Sequence, residues 1–144
     1  MKKVIIVRGA PGSGKSTHAR SLMEAYQREG KTVSHYEADM YFIGEDGKYK
    51  WSAEKIGSAH KWCQDKVRES IKVCDVVIVS NTSVRSKDVD VYVKIAEEAG
   101  AKHDVYRMFG QFQNLHEVPE SIVKRMRDSM EDYPGEICVA PKRA

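Results

Sequence analysis

A three-layer α/β domain, with a mostly parallel sheet of four or five strands flanked by helices, is the architecture this sequence predicts. Three observations carry that expectation. Short β-branched runs alternate along the chain with stretches of helical spacing. The run KVIIVR at residues 3–8 halts at GAPGSGKST, Gly9 to Thr17, and a helical pattern opens directly behind it. Length sets the remaining bound: 144 residues, 41% hydrophobic and 31% charged, give one domain over 1–144 with a real core and little room for a second.

Taken in order, residues 3–8 read as a buried parallel strand that stops before a turn. Lys15 to Arg28 places Ala19, Leu22, Met23 and Tyr26 at helical spacing and closes at Gly30, a good C-terminal cap. KTVSHYE suggests a second strand, which delivers the chain to Ala38, Asp39 and Met40. YFIGEDGKYKW is loop-like, with Gly44 and Asp46-Gly47 as turn formers. Ser52 is expected to cap a helix reaching about Val73, with an inner stripe of Ile56, Ala59, Cys63, Val67 and Ile71. DVVIVSNT is the clearest buried strand. Ser86 is expected to cap a helix through Glu98 that closes at Gly100, and AKHDVYRMF makes a fourth strand. After the polar stretch GQFQNLHEV, Pro119 opens a helix with Ile122, Val123, Met126 and Met130 on one face, which Pro134-Gly135 stops. Such alternation puts ligands at the carboxyl ends of the strands.

Composition excludes several classes. No apolar run approaches the roughly 18 residues that span a bilayer, and VIIV is interrupted at once by Arg8 and the glycines, so neither an anchor nor a signal peptide is expected. Cys63, Cys74 and Cys138 are odd in number and lack CxxC spacing, which fits a reduced, cytoplasmic setting. A net charge of +3 is too small to imply a nucleic-acid partner by itself.

The pattern GxxxxGKS, here Gly9, Ala10, Pro11, Gly12, Ser13, Gly14, Lys15 and Ser16, lies between a predicted strand and a predicted helix. That context marks a phosphate loop (P-loop) and hence the P-loop NTPase fold. Glycines let backbone N–H groups turn inward around an anion, and the helix adds the positive end of its dipole. Lys15 is expected to reach the β- and γ-phosphates of ATP, Ser16 to ligate Mg²⁺, and Thr17 to meet the α-phosphate. A hydrolytic ATPase usually needs an acid at the end of a core strand, but DVVIVS ends in Ser80-Asn81 with no carboxylate following. A guanine-specific NKxD motif is absent from the sequence, and the chain is too short for the added helical subdomain of assembling ATPases. Asp39, just past the second strand, suits a kinase better: a carboxylate there can take the proton of an attacking hydroxyl.

With those residues in view, the chain resembles the P-loop kinase domain of polynucleotide 5′-kinases, and still more the related AAA-type small ATPases. The matching pieces are MKKVIIVRGAPGSGKSTHAR, EADMYF, GKYKW followed by IGSAHKWCQ, VIVSNTS and HEVPESIVKRM, in the right order over nearly the whole chain. The resemblance implies Lys15 and Ser16 for ATP and Mg²⁺, and Asp39 as general base for a 5′-hydroxyl. It implies Asn81 at a position where the family has an acid near the acceptor, and Thr82 where the acceptor phosphate is contacted. Two departures bear on activity. Phe42 replaces an arginine that grips the acceptor phosphate, and Gln113, Asn114, Leu115, His116, Glu117, Val118 and Pro119 lack the family's lid arginine. Slow turnover or a changed acceptor is expected, since a positive lid is worth several kcal/mol.

Arg85 is a candidate acceptor contact, and Lys124, Arg125 and Arg127 are candidate substitute cations, a solvated basic face being their ordinary role. His60 is read as packed or hydrogen-bonded, with a place in the acceptor cleft as the alternative. Trp51, Trp62, Tyr41 and Phe42 offer surfaces on which a base can stack. The sequence thus points to an ATP- and Mg²⁺-dependent kinase acting on a nucleic-acid 5′ end. A kinase of a nucleoside, modified base or other small molecule, and a nucleotide-binding or weakly hydrolysing module, remain open.

Overall fold

The computed structural model describes residues 2–112 and 118–140. Five strands form one sheet in the order β2-β3-β1-β4-β5, every pairing parallel. The strands are β1 (Lys3–Gly9), β2 (Val33–Tyr36), β3 (Val76–Asn81), β4 (Lys102–Met108) and β5 (Ile137–Val139). The helices are α1 (Lys15–Arg28), α2 (Ile56–Ser70), α3 (Ser86–Glu98) and α4 (Glu120–Ser129).

β1 is central because both of its faces are apolar. Val4 and Ile6 join a core with Cys63 and Val67 of α2 and Val89 and Ile95 of α3. Ile5 and Val7 point the other way, into a core with Ala19 of α1 and Val76 and Ile78 of β3. Burying both faces is why the strand reads as a continuous run rather than an alternating one. Among the described residues, no helix is long and apolar enough to cross a membrane.

Several boundaries differ from the sequence expectations. α2 starts at Ile56 behind a short 3₁₀ turn at Ala53–Lys55, and Ser52 makes no side-chain capping bond. Ile56 is exposed, because the first helical residue lies outside the packed stripe that Ala59, Cys63, Val67 and Ile71 continue. The helix ends at Ser70, three residues early. For α3 the cap is Arg85, whose backbone N–H donates to the Asp88 carboxylate at 3.1 Å. Ser86 is already helical and donates its N–H to Glu131 at 2.8 Å. α4 ends at Ser129, before Pro134-Gly135, because Met130 turns extended and Glu131 N–H pairs with the Val84 carbonyl. The short β5 then completes the sheet.

Arg8, at the end of the central strand, is fully buried. Its guanidinium donates to the Ser83 carbonyl at 3.0 and 2.8 Å, to the Val84 carbonyl at 3.2 Å and to the Glu136 carboxylate at 2.8 Å. Ser83 has φ 45, a left-handed conformation uncommon outside glycine, and those bonds hold it. Glu136 also accepts from Arg107 at 3.2 Å and from the Tyr133 N–H at 3.0 Å. One buried cation therefore fixes the loop after β3 to the segment before β5.

Candidate functional site

The site begins in the loop between β1 and α1. Gly12 and Gly14 take φ 77 and 96, so the loop curls in a way that a side chain at either position would oppose. Ser13 N–H returns to the Ala10 carbonyl at 3.1 Å, and Lys15 folds its ammonium onto that same carbonyl at 3.0 Å. Loss of hydration brings the Lys15 pKa down to about 8, opposed by the negative charges of Glu37 and, less strongly, Asp39. The loop is braced from outside: Gly110 N–H donates to Ser13 O at 3.2 Å and Phe112 N–H to Gly12 O at 2.7 Å. Gly9 N–H reaches the Thr82 carbonyl at 3.3 Å.

A Cβ at Gly110 would lie 2.5 Å from Ser13 O, a backbone atom that cannot swing aside. Gly110→Ala is therefore expected to destabilise the domain by about 1–3 kcal/mol through overpacking, read as a lower urea midpoint at unchanged slope. An unchanged midpoint would mean that this brace is not tight in solution.

β2 is followed by two carboxylates, Glu37 and Asp39. Glu37 accepts from the Ser16 hydroxyl at 2.6 Å and from the Ser80 hydroxyl at 2.8 Å. Since Ser80 spends its single proton on Glu37, it accepts from His35, whose Nε2 is 2.6 Å away. Burial first, and the Arg20 charge after it, hold the His35 pKa below its usual value against the pull of Glu37, so the ring is neutral near pH 7.

Asp39 follows on a 3₁₀ turn, Ala38–Phe42. The Tyr49 hydroxyl donates to its Oδ1 at 3.3 Å, and burial together with the Asp39 charge pushes that phenol's pKa up. The Asp39 charge favours the Lys15 ammonium, so the two groups are near enough to interact electrostatically.

Asn81, at the end of β3, accepts the Ala38 N–H at 2.9 Å and donates toward the buried Cys63 thiol at 3.8 Å. Its oxygen fixes the backbone that presents Asp39. Asn81 and Thr82 both line a cavity between α2 and α3, as does His60, which is exposed rather than packed. Arg85 is exposed at the start of α3 and does not line that cavity. Thr17 Oγ1 accepts from Arg20 at 3.5 Å.

Phe42 is buried, edge-on to Tyr41 at 5.6 Å and to Tyr49 at 6.1 Å, so position 42 belongs to the core. Trp62 packs against Tyr36 and Tyr41, while Trp51 is exposed. Lys124 is paired with Asp128 at 2.7 Å. Residues 113–117, where the lid arginine is missing, lie outside the described residues.

Sequence reasoning assigned nothing to Glu37. The strand-end acid absent from β3 arrives instead from its neighbour β2. The readable signal is the spacing Glu37-x-Asp39 at the end of a strand next to the loop.

Sheet order, loop and paired strand-end carboxylates define a P-loop kinase-like α/β domain. The chain belongs to the family described as an AAA domain, whose profile matches residues 4–109. It is 33% identical over 153 residues to an uncharacterized protein of Pasteurella multocida, an alignment covering 98% of this chain and 84% of that protein. Among solved structures, it is similar to the APS kinase CysC of Mycobacterium tuberculosis, solved with AMPPNP and APS. That match has TM-score 0.64 at 15% identity and covers 99% of this chain and 90% of the kinase. A Pnkp1/Rnl/Hen1 complex aligns with TM-score 0.59 at 24% identity, over 94% of this chain and 43% of that one. At those identities the structural likeness speaks for the fold alone.

Proposed function

We propose that the protein is an ATP-dependent phosphotransferase that moves the γ-phosphoryl group to an alcohol, with the 5′-hydroxyl of a nucleic-acid end as the first acceptor to test. The observation that carries this reading is the Asp39 carboxylate on the turn after β2, held by Tyr49 and near enough for its charge to act on the Lys15 ammonium of the loop. Polynucleotide acceptors are favoured by the resemblance in EADMYF and VIVSNTS. A small-molecule acceptor is favoured by the burial of Phe42, which leaves that position without a cation for an acceptor phosphate.

Ser16 and Glu37 fit a magnesium ion, which is ordinarily held by one or two carboxylates, waters and substrate phosphates rather than by a full protein cage. Magnesium, when bound, would offset charge on the β- and γ-phosphoryl oxygens. Loop N–H groups and Lys15 cradle the donor. Tyr49 orients Asp39, which takes the acceptor's hydroxyl proton. The acceptor oxygen then bonds to the γ-phosphorus as the bond to the β–γ bridging oxygen breaks, and ADP leaves. Ser80 and His35 keep Glu37 aimed at Ser16.

Two expected outcomes follow from these contacts. Glu37→Gln raises the magnesium concentration needed for half-maximal nucleotide binding by about 10–100-fold, read by titrating the metal at fixed ATP analogue. An unaltered requirement would remove Glu37 from the metal's surroundings. A bound phosphate restores the Lys15 proton, so ATP affinity holds below pH 8 and falls about tenfold per unit above it, with proton uptake on binding. The unliganded fold behaves oppositely, because the lysine is depressed: its penalty is full below pH 8 and fades toward 10.5. Calorimetry in buffers of different ionisation enthalpy measures the uptake, and none at pH 8.5 would refute the role.

The reading itself is tested by transfer of γ-labelled phosphate to 5′-hydroxyl oligonucleotides and to a panel of small alcohols. Labelled product with any acceptor supports it. ATP binding without labelling of any alcohol sinks it in favour of a nucleotide-binding module.

A further inference from the structure

Five of the eight exposed large apolar side chains among the described residues fall between positions 41 and 56: Tyr41, Ile43, Tyr49, Trp51 and Ile56. Apolar surface gathered in one stretch marks a contact site more often than scattered exposure does. Its frame is a hairpin. Gly44 N–H donates to the Lys48 carbonyl at 2.9 Å and Lys50 N–H to the Phe42 carbonyl at 2.8 Å, so Ile43 and Tyr49 stand opposite each other across the pair. Gly47, at φ 76, closes the turn by donating to the Gly44 carbonyl at 2.9 Å, and Asp46 accepts the Lys48 N–H at 3.0 Å.

The rings are anchored from within. Phe42 is buried and meets Tyr41 edge-on at 5.6 Å and Tyr49 at 6.1 Å, while Trp51, 56% exposed, is the most open ring of the group. The hairpin is continuous with the candidate site, because the Tyr49 hydroxyl donates to Asp39 at 3.3 Å. Along its second arm cations alternate with aromatic rings: Lys48, Tyr49, Lys50, Trp51. Among the described residues Lys48 has no carboxylate within 4.0 Å, and Lys50 has Asp46 at 3.8 Å. Glu45, Asp46 and Glu54 keep the segment near neutrality, so binding to this face depends on ring contact more than on charge. A single strand of nucleic acid offers the match, with flat bases for the rings and a phosphate between successive bases for the cations.

We propose that this hairpin is a stacking platform for the unpaired bases that follow the reacting end of a single-stranded nucleic acid. Tyr49 and Trp51 supply the rings, and Lys48 and Lys50 meet the phosphates between the bases. A strand whose 5′-hydroxyl lies at Asp39 passes beside Tyr49 as it leaves the site. The platform lengthens what is recognised without reading sequence, since every base has a flat face. The inference rests on the phosphotransfer reading for the direction of the strand, but binding to the platform can be measured without turnover.

The test is titration of the whole protein, saturated with a non-hydrolysable ATP analogue, with thymidine and with octathymidylate bearing a 5′-hydroxyl, followed by tryptophan fluorescence. Octathymidylate is expected to bind more tightly than thymidine and to quench emission, an effect that Trp62→Phe preserves and Trp51→Phe removes. Trp51→Ala is expected to weaken octathymidylate by about 5- to 100-fold, and Trp51→Phe to restore most of that loss. Since Trp51 is exposed, both Trp51 variants should keep the parent's urea midpoint. Salt should act weakly, with a log–log slope of about −1.4 for two phosphates. Absence of octathymidylate binding, equal affinity for thymidine, full affinity in Trp51→Ala, or a slope steeper than about −3 would overturn the platform. So would self-association of the parent that Trp51→Ala abolishes in sedimentation, which would give the face to a second copy. Octathymidylate that binds and quenches as expected but takes no label from γ-labelled ATP refutes the phosphotransfer reading and leaves the platform standing. Label on a small alcohol without octathymidylate binding does the reverse.

Discussion

Replacing Asp39 by asparagine is expected to slow phosphoryl transfer by about 10²–10⁴-fold while nucleotide binding survives. Asparagine keeps the shape and the hydrogen bond from Tyr49 but cannot accept the acceptor's proton. A second readout separates this role from a structural one. Asp39 supports the charged form of Lys15, so its neutralisation should move the pH at which ATP affinity declines downward from about 8. Single-turnover transfer with labelled ATP, alongside calorimetry across pH, measures both. A variant that transfers phosphate within a few-fold of the parent rate would show that the base is another group.

The second large effect is on stability. Arg8→Met removes the buried guanidinium, leaving Glu136 short of one partner and the Ser83 and Val84 carbonyls short of theirs. Breaking a buried ion pair from one side typically costs about 3–5 kcal/mol, a large share of the 5–15 kcal/mol that holds a domain of this kind together. Part of the loss should be recovered in Arg8→Met/Glu136→Leu, where no buried charge is left alone, and Arg107 limits that recovery. Urea unfolding of the two variants measures this. A single variant within about 1 kcal/mol of the parent would mean that water replaces the guanidinium at little loss.

What the sequence made legible is what depends on local pattern. The phosphate loop is a contiguous string whose strand and helix flanks can be read beside it, and β1 and β3 announce themselves as continuous apolar runs. Asp39 was legible because it follows a strand directly. Glu37 was not, although it is two residues away, because its meaning comes from Ser16 and Ser80, contributed by other segments. Arg8 read as the end of an apolar run, whereas its burial depends on Glu136 at the far end of the chain. Ile56 failed because helical spacing does not tell where the neighbouring layer stops covering the helix. The strand β5 is too short for a period to register, and its pairing is set by β4.

The position of β1 within the sheet has a wider consequence. Asp39 and Asn81 hang from the ends of β2 and β3, on one flank of the phosphate loop, whereas the brace formed by Gly110 and Phe112 follows β4 on the other. On the proposed reading, changes of acceptor are confined to the outer positions of that flank, because Glu37 and Asp39 there also act on the donor site through Ser16 and Lys15. The β4 flank, by contrast, touches only the loop backbone, so the shape of the anion cradle is kept by a part of the sheet that carries none of those acids.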